Sequence, residues 1–213
     1  MRPPVITLDG PAGAGKSTIA RLLAKRLGFR FLDTGAMYRA FTWKALETGV
    51  DLRQPADLVA MIKGSTLQLD EARVILDGRD ITNEIRDERI TANSRHLADP
   101  PEVRAELVRL QQEFGGAGGL VTEGRDQGSV VFPDAEFKFY LDASIDERAR
   151  RRAKELEGAD LAALKKSIDE RDERDRTRAI GALKKPAGAI VIDTSSMTVD
   201  EVVAALQAAV TRA

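Results

Sequence analysis

Directly after the apolar run Val5-Ile6-Thr7-Leu8 comes the loop Gly10-Pro11-Ala12-Gly13-Ala14-Gly15-Lys16-Ser17-Thr18, and few folds can accommodate it. It satisfies G-x-x-x-x-G-K-[ST], and an apolar strand leading into such a loop and then a helix is the context in which that spacing has a mechanism. The glycines let successive backbone N–H groups converge on an anion. The N-terminus of the next helix adds unpaired donors and a partial positive charge. Lys16 is suited to reach the β- and γ-phosphates, and Ser17 to offer its hydroxyl to Mg²⁺. Ile19, Leu22, Leu23 and Leu27 recur at helical spacing, and Gly28 is suited to end that helix. The loop reads as a nucleoside triphosphate site; the plainer alternative is a glycine-rich turn without a ligand.

The rest of the chain alternates. Strand-like runs occur at Val5-Leu8, Phe29-Leu32, Leu120-Thr122, Phe137-Leu141 and Ala189-Ile192. Helical patterns follow the loop and span about 36–46, 102–114, 146–156 and 199–209. Alternation of this kind predicts an α/β fold, a parallel sheet covered by helices on both faces. Ligands bind such sheets at the carboxyl ends of the strands. The glycine-rich loop, Asp33-Thr34-Gly35 and Glu123-Gly124-Arg125-Asp126 all follow strand-like runs directly. Two segments stand outside the alternation. Gln68 to Ile81 reads as short antiparallel strands with Asp77-Gly78 as a hairpin turn. Asp160 to Arg178 reads as a highly charged helix.

Composition removes several function classes. The 33 basic residues balance 34 acidic ones, for a net charge of -1, which argues against a partner that is a nucleic-acid polymer or a membrane surface. No cysteine is present, so thiolate sites and disulfides are excluded and a reducing cytoplasm is the expectation. A single histidine, His96, excludes a histidine-cluster metal site within one chain. No apolar run approaches the ~18 residues of a membrane span, and no signal peptide is expected.

Three groups of residues carry candidate chemistry. Arg171, Arg174 and Arg178 stand at i, i+3 and i+7, with Asp175 bordering the same face. That spacing fits a solvated face braced by pairs such as Glu170–Arg174. It equally fits a lid whose guanidiniums close over a triphosphate, with Gly158 and Gly181 as flanking hinges. Thr34 either caps the helix that follows or, with Arg39, offers a hydroxyl and a guanidinium to a second phosphate-bearing molecule. Arg125-Asp126 is either a loop salt bridge or part of a site, and Glu123 sits where an acid helps hold Mg²⁺ through water. Ser94 and Arg104 flank Asp99-Pro100-Pro101-Glu102, a helix start with proline near its first position.

Taken in order, LDGPAGAGKST, FLDTGAMYRA, LDGRDITNEIR, ADPPEVRAEL, EGRDQGSVVFPDAEFKFYLDAS-x-x-ERARRR and ERDERDRTRA resemble the bacterial cytidylate kinases over nearly the whole chain. The resemblance implies a three-layer P-loop fold on a central five-stranded parallel sheet, with a monophosphate-binding insertion and a lid. Residues 1–213 would form one kinase domain. Its core would be 1–33, 116–156 and 182–213, and the monophosphate-binding region 34–115, with a small β insertion at about 64–85. The lid would lie at about 157–181. The implied reaction moves the γ-phosphoryl group of ATP to CMP or dCMP, with Mg²⁺. Gly10, Pro11, Ala12, Gly13, Ala14, Gly15, Lys16, Ser17 and Thr18 would hold ATP. Thr34, Arg39, Arg125 and Arg178 would surround the acceptor phosphate, and Arg171 and Asp175 would meet the ribose. Ser94, Arg104 and Asp126 would read cytosine. Lys16, Arg125, Arg171, Arg174 and Arg178 would form the catalytic set. A monomer is the default. Kinases for other small acceptors such as UMP, and a slow nucleotide switch, are the rival readings. The N/T-K-x-D segment of guanine-specific switches is missing.

Overall fold

The computed structural model describes residues 3–70, 73–154, 156 and 159–212. The elements run β1 (Val5–Asp9), α1 (Lys16–Leu27), β2 (Arg30–Asp33), α2 (Thr34–Thr48), α3 (Pro55–Lys63), β3 (Leu67–Leu69), β4 (Val74–Leu76) and β5 (Arg79–Asp80). A 3-10 turn (Glu84–Arg86) leads to α4 (Glu88–Asn93), α5 (Arg95–Ala98), α6 (Pro101–Gly115) and β6 (Leu120–Gly124). A π-type turn (Gln127–Val131) precedes β7 (Phe137–Asp142), α7 (Ile145–Ala153), α8 (Leu161–Thr177), β8 (Ile190–Asp193) and α9 (Val199–Thr211).

The main sheet has five strands in the order β2-β6-β1-β7-β8. β1 runs parallel to β6, with Val5 opposite Leu120 and Asp9 opposite Gly124, and parallel to β7 on its other side. β7 and β8 are also parallel. β1 and β6 are buried along nearly their whole length, which is why they read as continuous apolar runs rather than alternating ones. The chain divides into two compact units, residues 1–30 with 118–213, and residues 31–117.

In the first unit, Ile19, Ala20, Leu23 and Ala24 form the buried stripe of α1, and Val202, Val203 and Leu206 that of α9. α9 opens on a capping box in which Thr198 and Glu201 satisfy each other's backbone N–H groups. The helix expected over 146–156 stops at Ala153. Past that end the Leu156 N–H donates to the Ala153 carbonyl. Gly158, one of the two expected hinges, lies outside the described residues.

In the second unit, Ala36, Met37, Ala40, Phe41 and Ala45 bury the inner face of α2. β3, β4 and β5 form a separate antiparallel sheet. Asp77 (φ 51) and Gly78 (φ 81) make the two-residue turn between β4 and β5; left-handed conformation at both positions matches the twist of a hairpin.

Candidate active site

The glycine-rich loop leaves the sheet where β1 ends. Gly10 takes φ 146, and a Cβ there would lie 2.0 Å from the Leu141 carbonyl oxygen. Only glycine lets the loop pass this close to β7. Gly13, Ser17 and Thr18 are exposed, while Pro11, Ala14 and Lys16 are buried. Lys16 folds back along the loop, its Nζ donating to the Pro11 carbonyl at 2.8 Å. Burial, reinforced by the nearby Arg125, pushes its ammonium down to about 7. An anion arriving beside a buried lysine held by a neutral carbonyl would favour its charged form. Ser17 Oγ donates to Glu123 Oε1 at 2.8 Å, which sets a hydroxyl and a carboxylate side by side at the loop's helical end.

Beyond β6, Arg125 Nε donates to Asp175 Oδ2 at 2.8 Å, and Arg178 Nη2 donates to Asp175 Oδ1 at 2.8 Å. Arg125 and Arg178 hold the Asp175 carboxyl below its ordinary range although burial pushes the other way. Asp126 is buried at the head of the 127–131 turn. Arg171, exposed on α8, is close enough to lower the Lys16 ammonium's pKa and to help hold Asp175 ionised. Arg174 turns along its own helix, its Nε donating to the Glu170 carbonyl. The expected Glu170–Arg174 side-chain pair gives way to that bond, and Glu170 faces Lys166 at 3.9 Å. α8 ends at Thr177, and Arg178 follows in extended backbone (φ -59, ψ 133). The inward stripe of α8 is Ile168, Asp172 and Asp175, so acids rather than arginines face the interior.

In the second unit Asp33 caps α2, accepting the Ala36 N–H at 2.7 Å. The carboxylate is the stronger acceptor at a helix N-terminus, so Thr34 is the first helical residue and buried instead of the cap. Arg39 lies 3.8 Å from Asp33. Arg104 is buried, with Nη1 3.3 Å from the Tyr38 hydroxyl. Ser94 Oγ donates to the Thr91 carbonyl between α4 and α5.

Three polar residues that the motifs did not single out are built into the loop's surroundings. Asp172 Oδ1 accepts the Ala12 N–H at 3.1 Å, while Arg148 Nη1 donates to the Ala12 carbonyl at 3.0 Å and pairs with Asp172. The two peptide groups that flank Ala12 are thus held from α8 and α7. Asp9 accepts the N–H groups of Gln127 at 2.7 Å and Gly128 at 2.8 Å. The i, i+4, i+7 spacing of Ile168, Asp172 and Asp175 was the available signal for Asp172. For Asp9 it was an acid closing an otherwise apolar strand.

A parallel sheet with a phosphate loop at the end of its central strand defines the class: a P-loop protein of the small-molecule kinase fold. The shikimate kinase from Acinetobacter baumannii shares that fold, at a TM-score of 0.50 and 18% identity, over 99% of this chain and 94% of that one. The family model for cytidylate kinase matches residues 6–212. A cytidylate kinase of Vibrio cholerae is 47% identical, over 94% of this chain and 92% of the relative. One of Pelotomaculum thermopropionicum is 49% identical over the same shares. The chain belongs to the cytidylate kinase family.

Proposed function

We propose that this chain transfers the γ-phosphoryl group of ATP to CMP or dCMP, giving ADP and CDP or dCDP. The observation that carries this is its identity of 47–49% to cytidylate kinases over 94% of its length. The acceptor is a phosphate oxygen, already ionised at neutral pH. No general base is called for, and catalysis is positioning plus neutralisation of charge. Residues 10–18 hold the ATP phosphates. Lys16, Arg125, Arg171, Arg174 and Arg178 supply the positive charge that the transferring group needs. Arg125 and Arg178, each bonded to Asp175, have their guanidiniums oriented before any ligand arrives.

The remaining roles follow the family pattern. Thr34 and Arg39 meet the acceptor phosphate, and Arg171 and Asp175 the ribose. Ser94, Arg104 and Asp126 read the base. A buried carboxylate accepts from the exocyclic amino group of cytosine and repels the oxygen that uracil carries there, so Asp126 discriminates against UMP. The chain acts as one kinase domain, with residues 34–115 as its monophosphate-binding region and about 157–181 as its lid. We take it as a cytoplasmic monomer working on small molecules.

Mg²⁺ fits the donor set. The Ser17 hydroxyl and Glu123 carboxylate are hard oxygens 2.8 Å apart at the phosphate loop. No cluster of three or more His, Cys, Asp or Glu side chains able to hold a metal occurs among the described residues. That suits an ion that keeps waters and phosphate oxygens as most of its ligands. Bound there, it would neutralise charge on the β- and γ-phosphates.

A coupled ADP-release assay with MgATP, run with CMP, dCMP, UMP, AMP and no acceptor, tests the reading. Release that requires CMP or dCMP, with UMP much weaker, is expected. Release indifferent to every acceptor would overturn it in favour of a nucleotide hydrolase or switch.

A further inference from the structure

Asp9 is completely buried at the end of β1, one residue before the phosphate loop begins. A carboxylate in such a place is costly unless something requires it. Both its oxygens are engaged, Oδ1 by the Gln127 N–H and Oδ2 by the Gly128 N–H. These are the two residues that follow Arg125-Asp126. The Gln127 side chain is fixed as well, accepting a hydrogen bond from Thr122 Oγ1 at 2.8 Å. Gly128 makes the approach possible. A Cβ there would lie 2.7 Å from Thr7 Oγ1, 3.1 Å from Pro186 Cγ and 3.3 Å from Asp9 Oδ2. Thr7 and Asp9 are two apart in the strand and so point to the same side of the sheet. Thr7 Oγ1 has no hydrogen-bond partner among the described residues. The fold therefore meets two successive buried backbone donors of one turn with a single carboxylate rather than with water or another main-chain group.

We propose that Asp9 is the positioning residue that fixes the Arg125-Asp126 turn to the root of the phosphate loop, and thereby sets base selectivity. It touches neither substrate in this role. Its two oxygens match two successive backbone donors, as an asparagine cannot, because the asparagine amide would point a donor at one of the N–H groups. A turn released by even part of an ångström moves Asp126 out of register with the base, and misplacements of that size are expensive in rate. The inference rests on the reading of Asp126 as the base-reading acid.

The test measures kcat/KM for CMP and for UMP in Asp9→Asn, Asp126→Asn and the parent enzyme, with Tm for each. Asp9→Asn is expected to lower the CMP/UMP ratio by ~10-fold or more, with Tm at the assay pH showing that the variant is folded at the assay temperature. A ratio unchanged in Asp9→Asn but lowered in Asp126→Asn overturns the positioning role and leaves the Asp126 reading standing. A ratio unchanged in both overturns both. A ratio lowered only in Asp9→Asn removes the base-reading role from Asp126, and with it the route by which Asp9 is held to act, so it too overturns the proposal. An equal loss of CMP and UMP turnover, with the ratio intact, marks Asp9 as merely structural and also overturns the proposal. Should Asp9→Asn fail to fold, Gly128→Ala disturbs the same contact from the other side and is read by the same ratio.

Discussion

A single buried acid can be followed from packing to a measurable pH effect. Burial pushes the Asp9 carboxyl up to about 6, against the N–H bonds from Gly128 and Gln127; Asp126 adds to the rise and Lys16 opposes it. A group whose pKa is higher in the fold than in the unfolded chain stabilises the fold fully at low pH. That contribution is lost as pH rises through the folded value. The rise from 3.8 to about 6 is worth on the order of 3 kcal/mol across that window. The Lys16 ammonium, pushed down to about 7 although the Asp9 charge opposes the fall, goes lower still in Asp9→Asn, and a depressed lysine also gains stability as pH rises, so its change adds to the same trend. Asp9→Asn should therefore gain stability relative to the parent as pH rises from 4.5 to 7.5. Thermal unfolding of both proteins at the two values checks this, and a Tm difference independent of pH would refute it. At this scale the sequence was legible only where a motif supplied the spacing. Lys16, Ser17 and Arg125 stand out because their neighbours are glycines and strand ends. Asp9 does not, because nothing in the order of residues tells that both its oxygens meet backbone donors 118 and 119 positions away.

Elements were easier to read than the faces they turn inward. The five main strands and the long helices follow from continuous apolar runs and 3.6-residue periodicity. α3, α4 and α5 escaped because four to nine residues carry too little period; α3 buries only Leu58 and Ile62. α8 was legible as a helix, but charges on every side hid its inward stripe. That stripe decides how the helix is held. Arg148 on α7 and Asp172 on α8 are both buried and bonded to each other, and each also holds Ala12, one by its carbonyl and the other by its N–H. Asp172→Ala would leave the Arg148 guanidinium buried, with the neutral Ala143 and Ala12 carbonyls as its partners among the described residues. Breaking a buried pair from one side costs roughly 3–5 kcal/mol. Arg26→Ala, which removes a partner of the 83% exposed Asp200, should cost less than about 1 kcal/mol. Urea unfolding of the two variants separates these magnitudes, and equal midpoints would mean that the buried pair does not hold α8 to the loop.

At the scale of the whole molecule, fold class and family membership were both open to the sequence, because the phosphate loop names its own structural context and the six motifs occur in order. The partition into residues 31–117 and the remainder is a property of contacts, and composition does not display it. The same scale separates what the fold needs from what the reaction needs. Among the described residues no cluster of three or more His, Cys, Asp or Glu side chains is placed to hold a metal. On the proposed reading, Ser17 and Glu123 would hold Mg²⁺ only together with nucleotide phosphates. EDTA should therefore abolish phosphoryl transfer while leaving the Tm of the unliganded protein unchanged. MgATP at ~100 times its dissociation constant should stabilise the fold by about 2.7 kcal/mol. For a chain of this size that is a rise of roughly 5–10 °C. EDTA should remove most of this rise, because ATP without its cation presents uncompensated charge to the loop. Differential scanning calorimetry of the four combinations, with and without ATP and with and without chelator, reads all of these together. A drop in Tm on adding EDTA to the unliganded protein would show that the fold itself depends on a metal, and the assignment of Mg²⁺ to the nucleotide would then fail.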